Sequence, residues 1–272
     1  MLLKLSKICT RWYKILIVIW IIYLNGYLYN NLSINTNKTK YTVFGRKYKL
    51  NNLNVRNLNI TINNDNISYE QQIKYLGVVF DPNLNFYNHA DYIMRKFSKK
   101  VSFISRVGGN LTFYTRLLLY KSIAAPHLEF CATLLYNLPN FKIQQFQVLQ
   151  NRAMRAILKC NRYTPIVTIL NVLQVLSVKQ KIMFNVYVFL FKAKTGLLPK
   201  YICDNLKVFS DVHNYNTRNI NDFILSESCN TSQMLNSVLY KGLYEFNKLP
   251  CDIKNCDNLK LFKVHIRRYI LS

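Results

Sequence analysis

The spacing of apolar positions along the chain changes once, at Pro82. From Tyr41 to Phe80 it is that of strands. "YTVFG" is short, β-branched and closed by Gly45, and "VRNLNITINNDNISYEQQIKYLGVVF" alternates, with a turn expected at Asn63-Asn64-Asp65-Asn66. Asp81, between that last strand and Pro82, sits where a strand-end catalytic carboxylate would sit, but its Asp-Pro context is that of a turn residue. After Pro82 the period is helical. His89 to Val107 puts Ile93, Phe97, Val101 and Ile104 on one face and stops at Gly108-Gly109, with Lys96, Lys99, Lys100 and Arg106 off that seam. A second helix begins near Leu111. It contains Pro126, yet Leu117, Tyr120, Ala124, Leu128, Cys131 and Leu135 keep a three-four spacing across the proline, so one kinked helix is expected.

Ile143 to Cys160 predicts a third helix that buries Phe146, Leu149, Ala153, Ile157 and Cys160. Its other side carries Arg152, Arg155 and Lys159 as one basic stripe. A fourth has Ser177 as N-cap, Ile182, Val186, Phe189 and Ala193 inward, and Gly196 after Lys192 and Lys194. Val208 to Thr231 is polar and turn-rich. Two helices follow, Ser232 to Lys248, closed by Pro250, and Leu259 to Leu271. In the last, Leu259, Phe262, Ile266 and Ile270 face inward, and Lys260, Lys263 and Arg267 form a second stripe. The fold class read from this pattern is α+β and predominantly α-helical: a small strand-rich part, then a long basic helical region.

Charge sharpens the picture. The net charge is +25 from 37 basic and 12 acidic residues, with no acid before Asp65 and only Glu129 between Tyr92 and Cys203. So basic a chain repels itself unless it meets a polyanion, which points to nucleic acid or an anionic membrane surface. An AT-rich coding bias toward Asn, Lys, Ile and Tyr accounts for the lysines but not for the shortage of glutamate. The apolar run Ile15–Leu24, behind Lys4, Lys7, Arg11 and Lys14, is about half of what a membrane-spanning helix needs. It reads as a buried helix, with a signal anchor as the alternative.

Catalytic signatures are missing. The chain has no GxxxxGK[ST] and no GxGxxG, and its aspartates are isolated, with no adjacent pair to gather metal ions for phosphoryl transfer. Seven scattered cysteines suggest reduced thiols in an intracellular protein of the nucleus or cytoplasm. Cys251, Cys256 and His265 are the one metal-like grouping, but their spacing matches no zinc pattern and lacks a fourth ligand. No catalytic residue, metal ligand or cofactor is assigned.

Two stretches, "NNLSINTNKTKYTVFG" (Asn30–Gly45) and, about thirty residues on, "IKYLGVVFD" (Ile73–Asp81), carry a resemblance. Together with "HADYIMRKFSKKVSFISRV", "TRLLLYKSIAAPHLEFCATLLY", "LQNRAMRAILKCNRYTPI" and "LYKGLYEFNKLPCDIKN", in that order, they resemble the back end of the reverse transcriptase of non-LTR retrotransposons of the LINE, jockey-like or RTE-like kind. The resemblance covers about Leu24 to Ser272. It implies a poorly matched segment over 1–24, palm-end strands over 25–81, thumb-like helices over 82–140 and a C-terminal helical extension over 141–272. It implies further that Tyr75, Leu76 and Gly77 form a primer-grip-like strand. Lys96, Lys99, Lys100, Arg152, Arg155 and Lys159 then hold the phosphates of an RNA–DNA or DNA duplex. Relative to the family, the fingers, the first half of the palm and the metal-binding aspartates are missing, so a truncated polymerase, inactive alone, is expected. The other readings are an enzyme completed by remaining polymerase segments on a partner chain, a stand-alone nucleic-acid-binding protein, a membrane-associated protein, and a relic without a cellular role.

Overall fold

The structure, a computed structural model, describes residues 35–45, 47–52, 60–62, 64–212, 215, 222–225 and 232–271. The apolar run Trp12–Leu24 and residues 53–59 of the expected strand region lie outside the described residues. The chain divides into two compact units, Met1–Asn88 and His89–Ser272. The architecture is predominantly helical with small sheets, the α+β class the patterning predicts.

In the first unit, β1 (Lys40–Tyr41) is followed by a short helix α1 (Lys47–Asn52) where the spacing suggests only strands. Next come β2 (Thr61–Ile62), β3 (Asp65–Asn66), β4 (Ser68–Tyr69), β5 (Ile73–Tyr75) and β6 (Val78–Phe80). β1 pairs in parallel with β4, Tyr41 opposite Tyr69 with their rings edge to face at 5.5 Å. β2 and β3 form a hairpin at Asn64, which adopts φ 70°. β5 and β6 form a second hairpin, with Tyr75 opposite Val78, closed by Leu76 and Gly77 alone.

Asp81 is only 4% exposed and organises the exit from this hairpin. Its Oδ1 accepts from the Phe86 amide at 2.9 Å, and its Oδ2 from the amides of Asn83 and Asn85 at 3.2 and 3.3 Å. The loop wound around this carboxylate holds Leu84 and Phe86 at φ 53° and 60°, conformations that need such outside support. Asp81 is therefore a turn-building acceptor.

The second unit, with the helix that leads into it, contains α2 (Tyr87–Val107), α3 (Phe113–Leu119), α4 (Ala125–Glu129), α5 (Asn140–Leu158), α6 (Ile166–Leu173) and α7 (Val178–Lys194). After these come α8 (Lys200–Cys203), α9 (Ser232–Leu235), α10 (Leu243–Asn247), α11 (Cys251–Lys254) and α12 (Leu259–Leu271). α3 and α4 are joined without a break by a π turn, Tyr120–Ala124. The Ala125 amide reaches back to the Tyr120 carbonyl, which widens the turn just before Pro126, whose ring would crowd a regular helix. The helix thus crosses the proline as the spacing predicts, but it ends at Glu129. Cys131 turns left-handed at φ 52°, so Leu135 belongs to a separate 3-10 turn.

The expected helix from Ser232 to Lys248 is likewise divided, with α9 separated from a π turn at Val238–Gly242 that runs into α10. Gly242 sits closely against its neighbours there. A Cβ would stand 3.3 Å from the Val186 and Val238 side chains. α6 and α11 are helices that the periodicity does not suggest.

α7 is the spine of this unit. Val178 and Ile182 lie in one apolar core with Phe97, Ile104, Leu135, Phe146, Met154 and Ile169. Val186, Tyr187, Leu190 and Phe191 lie in a second core with Phe223, Phe246, Phe262 and Ile266. Phe191 and Phe262 stack at 4.1 Å between centroids. The start of α7 is closed by a capping box: the Gln180 amide donates to Ser177 Oγ and the Ser177 amide to Gln180 Oε1. Gln147 of α5 accepts from the Val178 amide at 2.8 Å, and Gln180 Nε2 donates to the Ile270 carbonyl at 3.0 Å.

Among the described helices, no single one is long and apolar enough to cross a membrane. α6 and α7 pass a length-and-composition test only together, across a 45° bend. Ile169, Leu170 and Leu173 of α6 and the buried residues of α7 serve the two cores just described, while Val167 and Val172 of α6 are exposed.

A buried polar knot supports the second core. Lys254 Nζ pairs with Asp222 at 2.6 Å and donates to the Asn247 carbonyl at 2.9 Å. Asn247 exchanges both its amide bonds with the Phe223 backbone. Lys194 donates to the Lys254 carbonyl, and its ammonium pKa is lowered by burial and by the neighbouring Lys254 charge.

Two stability outcomes are expected, both read by urea unfolding. Asp81→Ala strands three backbone donors and should cost about 2–3 kcal/mol; an unchanged midpoint would show that the loop does not need the carboxylate. Lys254→Ala should cost about 3–5 kcal/mol by leaving Asp222 buried and unpaired, and Lys254→Ala with Asp222→Ala should cost less. Equal losses in the single and double variants would mean that no such coupling exists.

Candidate nucleic-acid interface

The β5–β6 hairpin presents Tyr75 and Leu76 at its tip, 63% and 77% exposed. Leu76 and Gly77 both adopt positive φ, 46° and 85°. This is the pattern of a type I′ turn, whose twist suits a two-residue hairpin and which normally takes Asn or Gly at the first position. Leucine there costs on the order of 1 kcal/mol of backbone strain and leaves an apolar side chain in water. Gly77 has no such penalty and is half-buried.

Along α2, Lys96, Lys99 and Lys100 are exposed, as their place off the apolar seam requires. Lys96 Nζ stands 4.6 Å from the centre of the Tyr92 ring one turn back. α4 brings His127 up to the same cations. Its pKa lies below the usual value of 6.5, first through burial and then through the charges of Lys96 and Lys100. Sequence does not single out His127, because only the fold places it beside the lysines.

The α5 stripe is divided by its partners. Arg152 is exposed. Arg155 is half-buried: Nη2 donates to the Thr164 carbonyl at 3.4 Å, and Nε is buried without a hydrogen-bond partner among the described residues. Lys159 ends the helix in the left-handed conformation at φ 53°, and its Nζ donates to the Gly109 carbonyl at 2.9 Å. A further cation, Arg116, is buried and donates from Nη1 to the Gly108 and Leu111 carbonyls at 3.1 and 3.2 Å. The C-terminal end of α2 and the Gly108–Asn110 turn are thus gripped by two cations, which suits the negative end of a helix dipole. This contact joins the lysine-bearing α2 to the arginine-bearing α5. Periodicity alone could not reveal it, since Lys159 and Gly109 are fifty residues apart.

Little acid offsets these charges. Glu129 pairs with Lys181 at 2.8 Å, and Asp91 pairs with Lys142. On α12, Lys260, Lys263 and Arg267 are exposed, and Arg267 donates to the Gln174 carbonyl. Cys256 Sγ lies 3.5 Å from His265 Nδ1, and burial first, then Asp257 and Asp252, push its thiol pKa up. Cys251 is exposed. Among the described residues no three His, Cys, Asp or Glu side chains gather as a metal site would require. The arrangement suits charge-based binding of a polyanion.

Replacing Lys96 and Lys100 by Gln should raise the His127 pKa. The value should stay below the ordinary one, because the contribution of burial remains. An NMR titration of the histidine ring checks this; an unmoved pKa would place the lysines out of electrostatic reach.

No protein-family model matches the chain, and no solved structure matches it. Two curated proteins are similar over part of its length. The RNA-directed DNA polymerase from mobile element jockey of Drosophila funebris is 27% identical over 101 residues, 36% of this chain and 11% of that protein. The retrovirus-related Pol polyprotein from type-1 retrotransposable element R1 4 of Nasonia vitripennis is 28% identical over 115 residues, 40% of this chain and 29% of that protein. The aligned parts therefore span well under half of either relative. Over about 40% of its length the chain is similar to reverse-transcriptase proteins of non-LTR retrotransposons, the group that the order of its motifs resembles.

Proposed function

We propose that the chain is the template-primer-holding part of a retrotransposon reverse transcriptase, binding RNA–DNA or DNA duplex by its phosphates. The observation that carries this reading is the join between α2 and α5 at the Gly108–Asn110 turn. It ties a helix with Lys96, Lys99 and Lys100 to one with Arg152, Arg155 and Lys159, in a stretch whose two acids, Asp91 and Glu129, are both already paired. Contacts of this kind supply affinity without reading sequence. In this reading the helices after Pro82 act as a thumb, and the Tyr75-Leu76-Gly77 tip lies near a primer end, where glycine allows close backbone approach. The carboxylates that would bind catalytic metal ions come from other polymerase segments, so primer extension by this chain alone is not expected.

The test is a salt titration with a blunt RNA–DNA hybrid. Affinity should fall steeply between about 50 and 200 mM salt, and indifference to salt would sink the proposal. Replacing the exposed Lys96, Lys99, Lys100 and Arg152 by Gln should flatten the log–log slope by roughly 0.9 for each phosphate that is no longer neutralised. Arg155 and Lys159 are better left in place, because their hydrogen bonds to backbone also hold the fold.

A further inference from the structure

We propose that the loop between α5 and α6 is a stacking platform for unpaired nucleobases, with Tyr163 as its ring. This goes beyond phosphate contacts to a duplex, and it rests on the reading of the chain as a nucleic-acid binder. Tyr163 is 81% exposed. One exposed tyrosine is ordinary by itself. Its setting is less so. The loop is braced from within by Asn161: the Tyr163 amide donates to Asn161 Oδ1 at 3.3 Å, and the Thr164 amide to the Asn161 carbonyl at 3.1 Å. Arg155 holds the Thr164 carbonyl from the helix side. A ring held out on such a loop loses little conformational freedom when a base stacks on it.

The surrounding charge selects the partner. The Arg162 guanidinium lies 5.6 Å from the Tyr163 ring centre, and Lys159 begins the loop. No acidic residue lies within thirty positions of Tyr163 in the sequence on either side. Aromatic faces interleaved with cations are how single strands are held: the ring takes the base and the cations take the backbone.

In this proposal a second ring extends the platform. Tyr114, 79% exposed and packed edge to face on Phe113 at 5.4 Å, stands in the first turn of α3. That turn follows directly on the Gly108–Asn110 segment gripped by Lys159, so one lysine ties together the elements that carry the two rings.

The intact chain is titrated with a single-stranded oligothymidylate and, separately, with a blunt RNA–DNA hybrid. Tyr163→Ala should weaken oligothymidylate binding roughly 5- to 100-fold and leave hybrid affinity unchanged. Tyr163→Phe should bind like the wild type, since the ring is kept. Tyr163→Leu should bind like the alanine variant, since apolar bulk without a π face does not stack. Tyr114→Ala should add a further loss. Equal single-strand affinity in wild type and Tyr163→Ala overturns the platform, and hybrid binding that stays salt-steep in the same experiment leaves the duplex reading standing. Single-strand binding through Tyr163 with no affinity for hybrid supports the platform and removes the duplex reading. A wild type that binds neither probe overturns both.

Discussion

The helical unit depends on one helix having two insides. α7 has apolar residues on most of its circumference, and all of its residues but Lys179 are buried or half-buried, so each half packs into its own core. Its N-terminal half finds one in Phe97, Phe146 and Met154, and its C-terminal half another in Phe223, Phe246 and Phe262. A helix in that position has nowhere to leave its first amides unpaired. Ser177, Gln180 and Gln147 supply acceptors at that end, and the Gln180 side chain goes on to fasten the far end of α12. The two cores are therefore coupled through a single element and its cap.

Around this frame the positive charges divide into two kinds. Some are spent on the protein's own backbone. Arg116 and Lys159 satisfy carbonyls of the turn that follows α2, and Lys254 serves Asp222 and Asn247. Others, including Lys99, Lys100 and Arg152, project into water. Both kinds contribute to a net charge of +25, yet only the second is free to meet a ligand at no cost to the fold. Counting basic residues along a helix face cannot separate them, because the distinction lies in partners supplied by distant segments.

What was legible in the sequence follows the range of the interactions. The seam of α2 and the Ser177 cap are set by residues within a turn or two of each other, and they appear as the periodicity predicts. The bounds of the last helix, Leu259–Leu271, also coincide with its apolar spacing. The continuity of the chain across Pro126 was readable, but its stop at Glu129 was not, since a left-handed residue at Cys131 carries no glycine to announce it. α6 was missed because its eight residues are too few and too uniformly apolar to display a period. At the candidate interface, the exposed lysines of α2 were readable from their face. His127, Arg116 and the tether of Lys159 were not, because each depends on contacts between separate helices.

The π turn at Tyr120–Ala124 fixes more than a path around Pro126. It holds one more residue than a regular turn, so it acts as a phase shift in the helix, much as an extra tooth shifts one gear against the next. Tyr120 and Ala124 within it and Leu128 beyond it all reach the core. Each residue advances a helix by about 100°, so a chain one residue shorter there would rotate α4 by that angle and turn Leu128 away from its neighbours. Glu129 and His127 would swing with it, away from Lys181 and the α2 lysines. A one-residue length change far from any ligand would thus re-aim the charged surface, which makes the length of this segment as much a determinant of the interface as the residues that compose it.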